Sequence, residues 1–128
     1  MDKKIIIKNQ MRIAVINDDE VLIHDSQSAL DFIMSISYND SCNAAAINKE
    51  ALSDDFFVLS TGVAGEILQK AVNYRMKLAI IGDFSEYTSK PLNDFIYECN
   101  NGRDIFFVND EDAAVSKLCR CLKTAEEF

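Results

Sequence analysis

Two hydrophobic periods alternate along this chain, and their alternation predicts the fold. Short β-branched runs at residues 5–7 and 12–16 flank Asn9-Gln10, which predicts an antiparallel hairpin or two neighbouring strands. Asp25 or Ser26 can then accept from the free amides of a helix running to about residue 38. Its apolar positions Ala29, Leu30, Ile33 and Ile36 or Ser37 recur at steps of three and four, and Asn39-Asp40 stops it. Residues 44–47 read as a third strand. An irregular connection follows through Lys49-Glu50-Ala51 and includes Asp54 and Asp55. Over residues 61–74 a helix carries Val63, Ala64, Ile67, Leu68, Ala71 and Val72 on one face and Glu66, Gln69, Lys70 and Asn73 on the other.

Residues 78–81 form four consecutive apolar positions, as suits a strand covered on both faces, and Gly82-Asp83 ends it. The next helix starts at Thr88 or Ser89 with Pro91 in its first turn, shows Leu92, Phe95, Ile96 and Cys99 at helical spacing, and stops at Asn101-Gly102. Residues 105–108 are the last strand. Asp110 caps a final helix with Ala114, Val115, Leu118 and Leu122 inward, and Lys117, Arg120 and Lys123 near its end suit the helix dipole. This order predicts a single α/β domain over residues 1–128, with a central mixed sheet of about five strands, about four helices and right-handed crossovers.

Composition narrows the function. A length of 128 residues with 48% hydrophobic residues, one Pro and four Gly fits one domain without a linker or repeat. The formal net charge of −8 argues against nucleic acid and anionic membranes, whose binding draws on Lys and Arg. Lys3, Lys4 and Lys8 read as solubilising charges on an edge strand. No apolar run has the length of a membrane span and no signal-peptide layout opens the chain, so a cytoplasmic location is expected. Cys42, Cys99, Cys119 and Cys121 form no C-x-x-C pair and no zinc spacing with His24; packed, reduced thiols are expected at Cys99 and Cys119, and a more exposed one at Cys121.

Several residue groups carry the resemblance to a known family: Ser60-Thr61-Gly62, Ala64-Gly65-Glu66-Ile67-Leu68-Gln69-Lys70, Asn73-Tyr74-Arg75, Ala79-Ile80-Ile81-Gly82-Asp83-Phe84, Ser89-Lys90 and Asp94-Phe95-Ile96-Tyr97-Glu98. On these the chain resembles the bacterial domain of unknown function 4180 family over nearly its whole length, which implies membership and no particular chemistry. The element order is also similar to that of the STAS domain, the fold of anti-sigma factor antagonists. In antagonists of that type a strand leads to an Asp-Ser-Ser-Gly turn at a helix start, where a partner kinase phosphorylates a serine. Leu59-Ser60-Thr61-Gly62 is the counterpart here, with Leu59 in place of the acid, Thr61 in place of the second serine, and Gly65 one residue further on than in Gly-x-Gly.

A helix start presents unpaired amides and roughly half a positive charge, and so can hold a phosphate. Ser60 or Thr61 can equally serve as a plain helix cap. Glycines at Gly62 and Gly65 in the first turn are costly in a helix, which points to a close approach by a ligand, another backbone or a neighbouring helix. The leading expectation is a non-enzymatic regulatory module that binds a protein partner through Ser60, Thr61, Gly62, Gly65, Glu66, Gln69, Lys70 and Asn73, with no cofactor.

The alternative is a small-ligand or metal-dependent enzyme, or a receiver-like domain, with its site near Asp83. Its pocket would be lined by Asp83, Glu86, Tyr87 and Glu98 beyond a buried strand. Asp18, Asp19 and Asp83 could gather at strand ends around Mg²⁺, and residues 11–20 look locally like the acidic start of a receiver domain. A Ser60-His24-Asp relay lacks a nucleophile elbow, and no phosphate or dinucleotide loop motif is present, so no catalytic residue is assigned. The adjacent pairs Phe56-Phe57 and Phe106-Phe107 leave a homodimer surface open alongside burial under helices.

Overall fold

The computed structural model describes residues 2–126, with side chains through Arg120. Strand β1 (Asp2–Lys8) pairs antiparallel with β2 (Met11–Asn17) across Asn9 and Gln10, whose φ values are 53° and 69°. Positive φ at both central residues is the type I′ turn, whose twist matches the strands it joins. β3 (Ala44–Asn48), β4 (Lys77–Ile81) and β5 (Ile105–Val108) then add in parallel, so that the sheet order is β1-β2-β3-β4-β5.

Helices α1 (Ser26–Met34), α2 (Val63–Asn73) and α3 (Lys90–Asn100) fill the three crossovers, and α4 (Glu111–Glu126) follows β5. When strand order follows chain order and every crossover has the same hand, all the crossover helices must lie on one side of the sheet. The core divides accordingly. Ala29 and Ile33 of α1, Ala64, Ile67 and Ala71 of α2 and Leu92 of α3 pack on Ala14, Ile16, Ala45, Ile47, Leu78, Ile80, Ile105 and Phe107. On the opposite face Ala114, Val115, Leu118 and Cys119 of α4 meet Met11, Ile13, Val15, Ala44, Ala46, Ala79 and Phe106. The strict alternation along β2 to β5 is the period-2 consequence of covering both faces.

Asp25 caps α1 through a reciprocal box: its carboxylate accepts from the Ser28 amide at 2.8 Å, and Ser28 Oγ accepts from the Asp25 amide at 3.1 Å. The α-helix stops at Met34, short of the expected residue 38, and continues as one wider π turn over Ser35–Asn39. That turn keeps Ile36 buried while Ser37 and Tyr38 face outward. Ser89 caps α3, with Pro91 in the first turn, and Asp110 Oδ1 accepts from the Ala113 amide at the start of α4.

β1 is an edge strand. Its lysines alternate in direction, Lys3 pairing with Asp40 beyond α1 at 3.0 Å and Lys4 with Glu111 of α4 at 2.9 Å. Phe56, Phe57, Phe106 and Phe107 are all buried, as the alternative of burial under helices expects, and Phe106 and Phe107 enter opposite cores. Cys42, Cys99 and Cys119 are free thiols, and burial pushes the Cys99 thiol up to about 11. The side chains of Cys121, Leu122 and Lys123 lie outside the described residues. Among the described residues no helix is long and apolar enough to cross a membrane.

Candidate functional site

The first candidate region is the entry to α2. After β3 the chain makes three 3₁₀ turns, Lys49–Ala51, Asp54–Phe57 and Leu59–Thr61, and no strand leads into the helix. Phe56 and Phe57 anchor the middle turn in the core. Thr61 Oγ1 lies 2.7 Å from the Asp55 carbonyl and 2.8 Å from that of Val58, and it accepts from the Val63 amide at 3.3 Å. Thr61 thus closes the preceding turn. The cap position belongs to Gly62, whose φ of +82° is left-handed and whose lack of a side chain corrects the expectation that Ser60 or Thr61 caps the helix. The same conformation starts the helix at Val63, two residues later than the hydrophobic period predicts.

Ser60, Thr61, Gly62, Gly65, Glu66, Gln69 and Asn73 are exposed and Lys70 is half-buried. Positions 62, 65, 66, 69 and 73 follow the three-and-four step, so they form one outward stripe opposite the buried Ala64, Ile67 and Ala71. Gln69 donates to Asn73 Oδ1 at 2.9 Å along it, and Val72 borders it, 44% exposed. A Cβ built on Gly65 meets nothing within 4 Å. Packing against a neighbouring helix is therefore not the reason for this glycine.

The second region lies beyond the carboxyl ends of β3 and β4 and is organised by Lys49, which the sequence reading placed only in an irregular connection. Lys49 Nζ donates to the Asp83 carbonyl and to Glu86 Oε1, each at 2.8 Å, and stands 5.3 Å from the Tyr87 ring centroid and 5.9 Å from that of Phe84. The Glu86 hydrogen bond raises the Lys49 pKa above its ordinary value. The lysine stem crosses Gly82 so closely that a Cβ there would lie 2.6 Å from Cδ and 2.8 Å from Cγ. A glycine closing β4 is thus what admits the lysine, a pairing that spans more than thirty residues and leaves no local signal.

Aromatic rings floor this region. Tyr87 stacks on Phe57 with centroids 5.1 Å apart and planes at 12°, and Phe84 meets Phe107 edge-on at 5.3 Å. Asp83 turns its carboxylate to Ser85, accepting from Oγ at 2.6 Å and from the amide at 2.9 Å; these bonds, the hydroxyl first, hold its pKa below the ordinary value. A cavity of about 420 Å³ is lined by Lys49, Leu52, Phe57, Glu86 and Tyr87 among others. Neither Asp83 nor Glu98 is among them. Asp83 meets the region through its carbonyl, which accepts from Lys49. Glu98 lines a different cavity with Cys99, Asp104 and Ile105, by the start of β5, so the expected grouping of Asp83, Glu86, Tyr87 and Glu98 divides.

Asp18 is tied to Asn48 by a reciprocal pair, its amide donating to Asn48 Oδ1 at 3.0 Å and its carbonyl accepting from Nδ2 at 2.7 Å. Among the described residues no three acidic, histidine or cysteine side chains come together as a metal site, so Asp18, Asp19 and Asp83 do not meet as a cation cage. His24 Nδ1 faces Asp25 Oδ2 at 3.3 Å. Lys90 pairs with Asp94 one helical turn on at 2.7 Å, and the sheet order differs from the 2-1-3-4-5 order of receiver-type folds.

Fold and surface define a small α/β domain wound on one side of its sheet, with an open turn-and-helix face and a lysine-centred strand-end cavity. The chain belongs to the family described as Domain of unknown function (DUF4180), whose model matches residues 8–118. No curated protein and no solved structure matches it.

Proposed function

We propose that the protein is a non-enzymatic regulatory module of the cytoplasm that docks a partner protein on the Ser60-Thr61-Gly62 turn and the outer stripe of α2. One observation carries this reading. Gly65 is an exposed glycine in the first turn of α2 with open space above it, a poor helix former whose missing side chain makes room for nothing within the chain. A backbone left bare is what a partner needs to approach closely. Ser60 is exposed in the turn before α2, open to a kinase, and a phosphate there would bring negative charge to the segment that leads into the helix start, where an anion is favoured. The likeness to STAS domains rests on element order and supports the same class of function.

The test is a crosslinked pull-down from the native cell with the wild type, Ser60→Asp and Gly65→Leu. A specific partner lost in Gly65→Leu and altered in Ser60→Asp is the expected result. Capture of the same proteins by all three forms would end the docking reading, and an unchanged affinity in Ser60→Asp alone would remove the switch.

A further inference from the structure

The two edges of the sheet differ in what meets them. At β5 the outward amide of Phe107 donates to Asn100 Oδ1 at 2.8 Å, so α3 closes that edge with a side chain. The β1 edge has no such cover among the described residues. The two-residue turn makes Lys8 and Met11 a pair that exchanges both backbone hydrogen bonds, and the exchange recurs at every second residue, Ile6, Lys4 and Asp2. Lys3, Ile5 and Ile7 therefore turn their N–H and C=O groups to the free side, where nothing among the described residues bonds them. The lysines that would guard such an edge are held within the chain, Lys3 by Asp40 and Lys4 by Glu111. Ile7 is left 64% exposed beside them.

Charge selects the occupant of this edge. Two copies of β1 can pair antiparallel about a two-fold axis normal to the sheet, which keeps each face on its own side and opposes residues of the same face. The register must then centre on one residue. Centred on Lys4 it sets that lysine against itself, and centred on Ile6 it sets Lys4 against Lys8. Centred on Ile5 it sets Ile5 against Ile5, Lys4 against Ile6, Lys3 against Ile7 and Asp2 against Lys8, so that no like charges meet. The side chains of Asp2 and Lys8 are exposed and without an ion pair among the described residues. In this register they fall at a position where opposed side chains come closest.

Shape agrees with charge. A groove of about 280 Å³ between α1 and the sheet is lined by Lys3, Ile16, Leu22, Phe32 and Ile36 among others. Lys3, Ile5 and Ile7 share the α1 face of the sheet, so the same register brings Ile7 of the second copy beside Lys3, at the rim of that groove.

We propose that the protein forms a homodimer in which two β1 strands pair antiparallel about Ile5 and join the two sheets into one. Asp2 of each copy pairs with Lys8 of the other, and each Ile7 meets the other copy's α1 groove. A seven-residue edge makes a small interface, so the dimer forms at micromolar rather than nanomolar concentration.

The experiment is sedimentation equilibrium of the full chain from about 1 μM to about 1 mM, a span that brackets such a dissociation constant. The expected result is a reversible monomer–dimer equilibrium. Ile7→Lys, at an exposed position, should weaken it by roughly tenfold or more, because each change enters the dimer twice and opposes Lys3. Asp2→Lys and Lys8→Asp should each weaken it similarly, and the double variant Asp2→Lys, Lys8→Asp should return to within about threefold of the wild type. These swaps lie on the surface and carry the test even if Ile7→Lys lowers the melting temperature. A wild type that stays monomeric throughout would overturn the proposal. So would a dimer indifferent to the single charge changes, or a double variant that remains as weak as either one.

Discussion

At the residue scale, Gly82 and Lys49 form one unit. The glycine leaves room for a lysine stem whose ammonium then bonds Asp83 and Glu86. Gly82→Ala is expected to force that stem aside and lower stability by about 1–2 kcal/mol, read from urea denaturation, because overpacking and a lost charged hydrogen bond act together. A fall of that size should shrink in Lys49→Ala, where the stem is gone. Asp25 gives a pH signature. The Ser28 amide, then its hydroxyl, holds the Asp25 carboxyl below the ordinary value. A depressed folded pKa means its contribution is complete above the unfolded value, near pH 4, and disappears as pH falls through the lower folded value. Asn also caps helices, so Asp25→Asn should stay folded at neutral pH and lose part of the acid sensitivity. Melting temperatures of the two forms at pH 7 and pH 3 check this.

Elements were legible in the sequence wherever a period of two or of three and four ran uninterrupted. All five strands and all four helices stand at the expected places, because both cores demand apolar residues at those spacings. Ends were less legible. Gly62 begins α2 late because a backbone angle, and no side-chain property, sets the boundary; the π turn after Met34 is likewise invisible to spacing. The turn and stripe of α2 could be listed from sequence since they are contiguous, whereas the Lys49 cavity unites residues 49–57 with Glu86 and Tyr87 and appears only once β3 and β4 are paired. The open space at Gly65 leads to a prediction for the helix itself. Gly65→Ala should stabilise the protein by about 0.5–1 kcal/mol in urea titration, since it adds helix propensity without a clash. Destabilisation would mean that the backbone there needs glycine for reasons internal to the fold.

For the whole molecule, one-sided winding leaves α4 alone to cover a face that three helices share on the other side. The sheet positions beneath it are small at the centre, Ala44 and Ala46 on β3 and Ala79 on β4, so that the single helix can lie close. Ala79→Leu is expected to lift α4 and cost about 1–3 kcal/mol, measured as a lower urea midpoint, while Leu118→Ala should cost about 2–5 kcal/mol by opening a cavity in the same layer. During synthesis every strand leaves the ribosome before α4 does. A chain that has paired its sheet before α4 docks carries Met11, Ile13, Val15 and Phe106 bare, so this face is the one open to aggregation until that helix is in place.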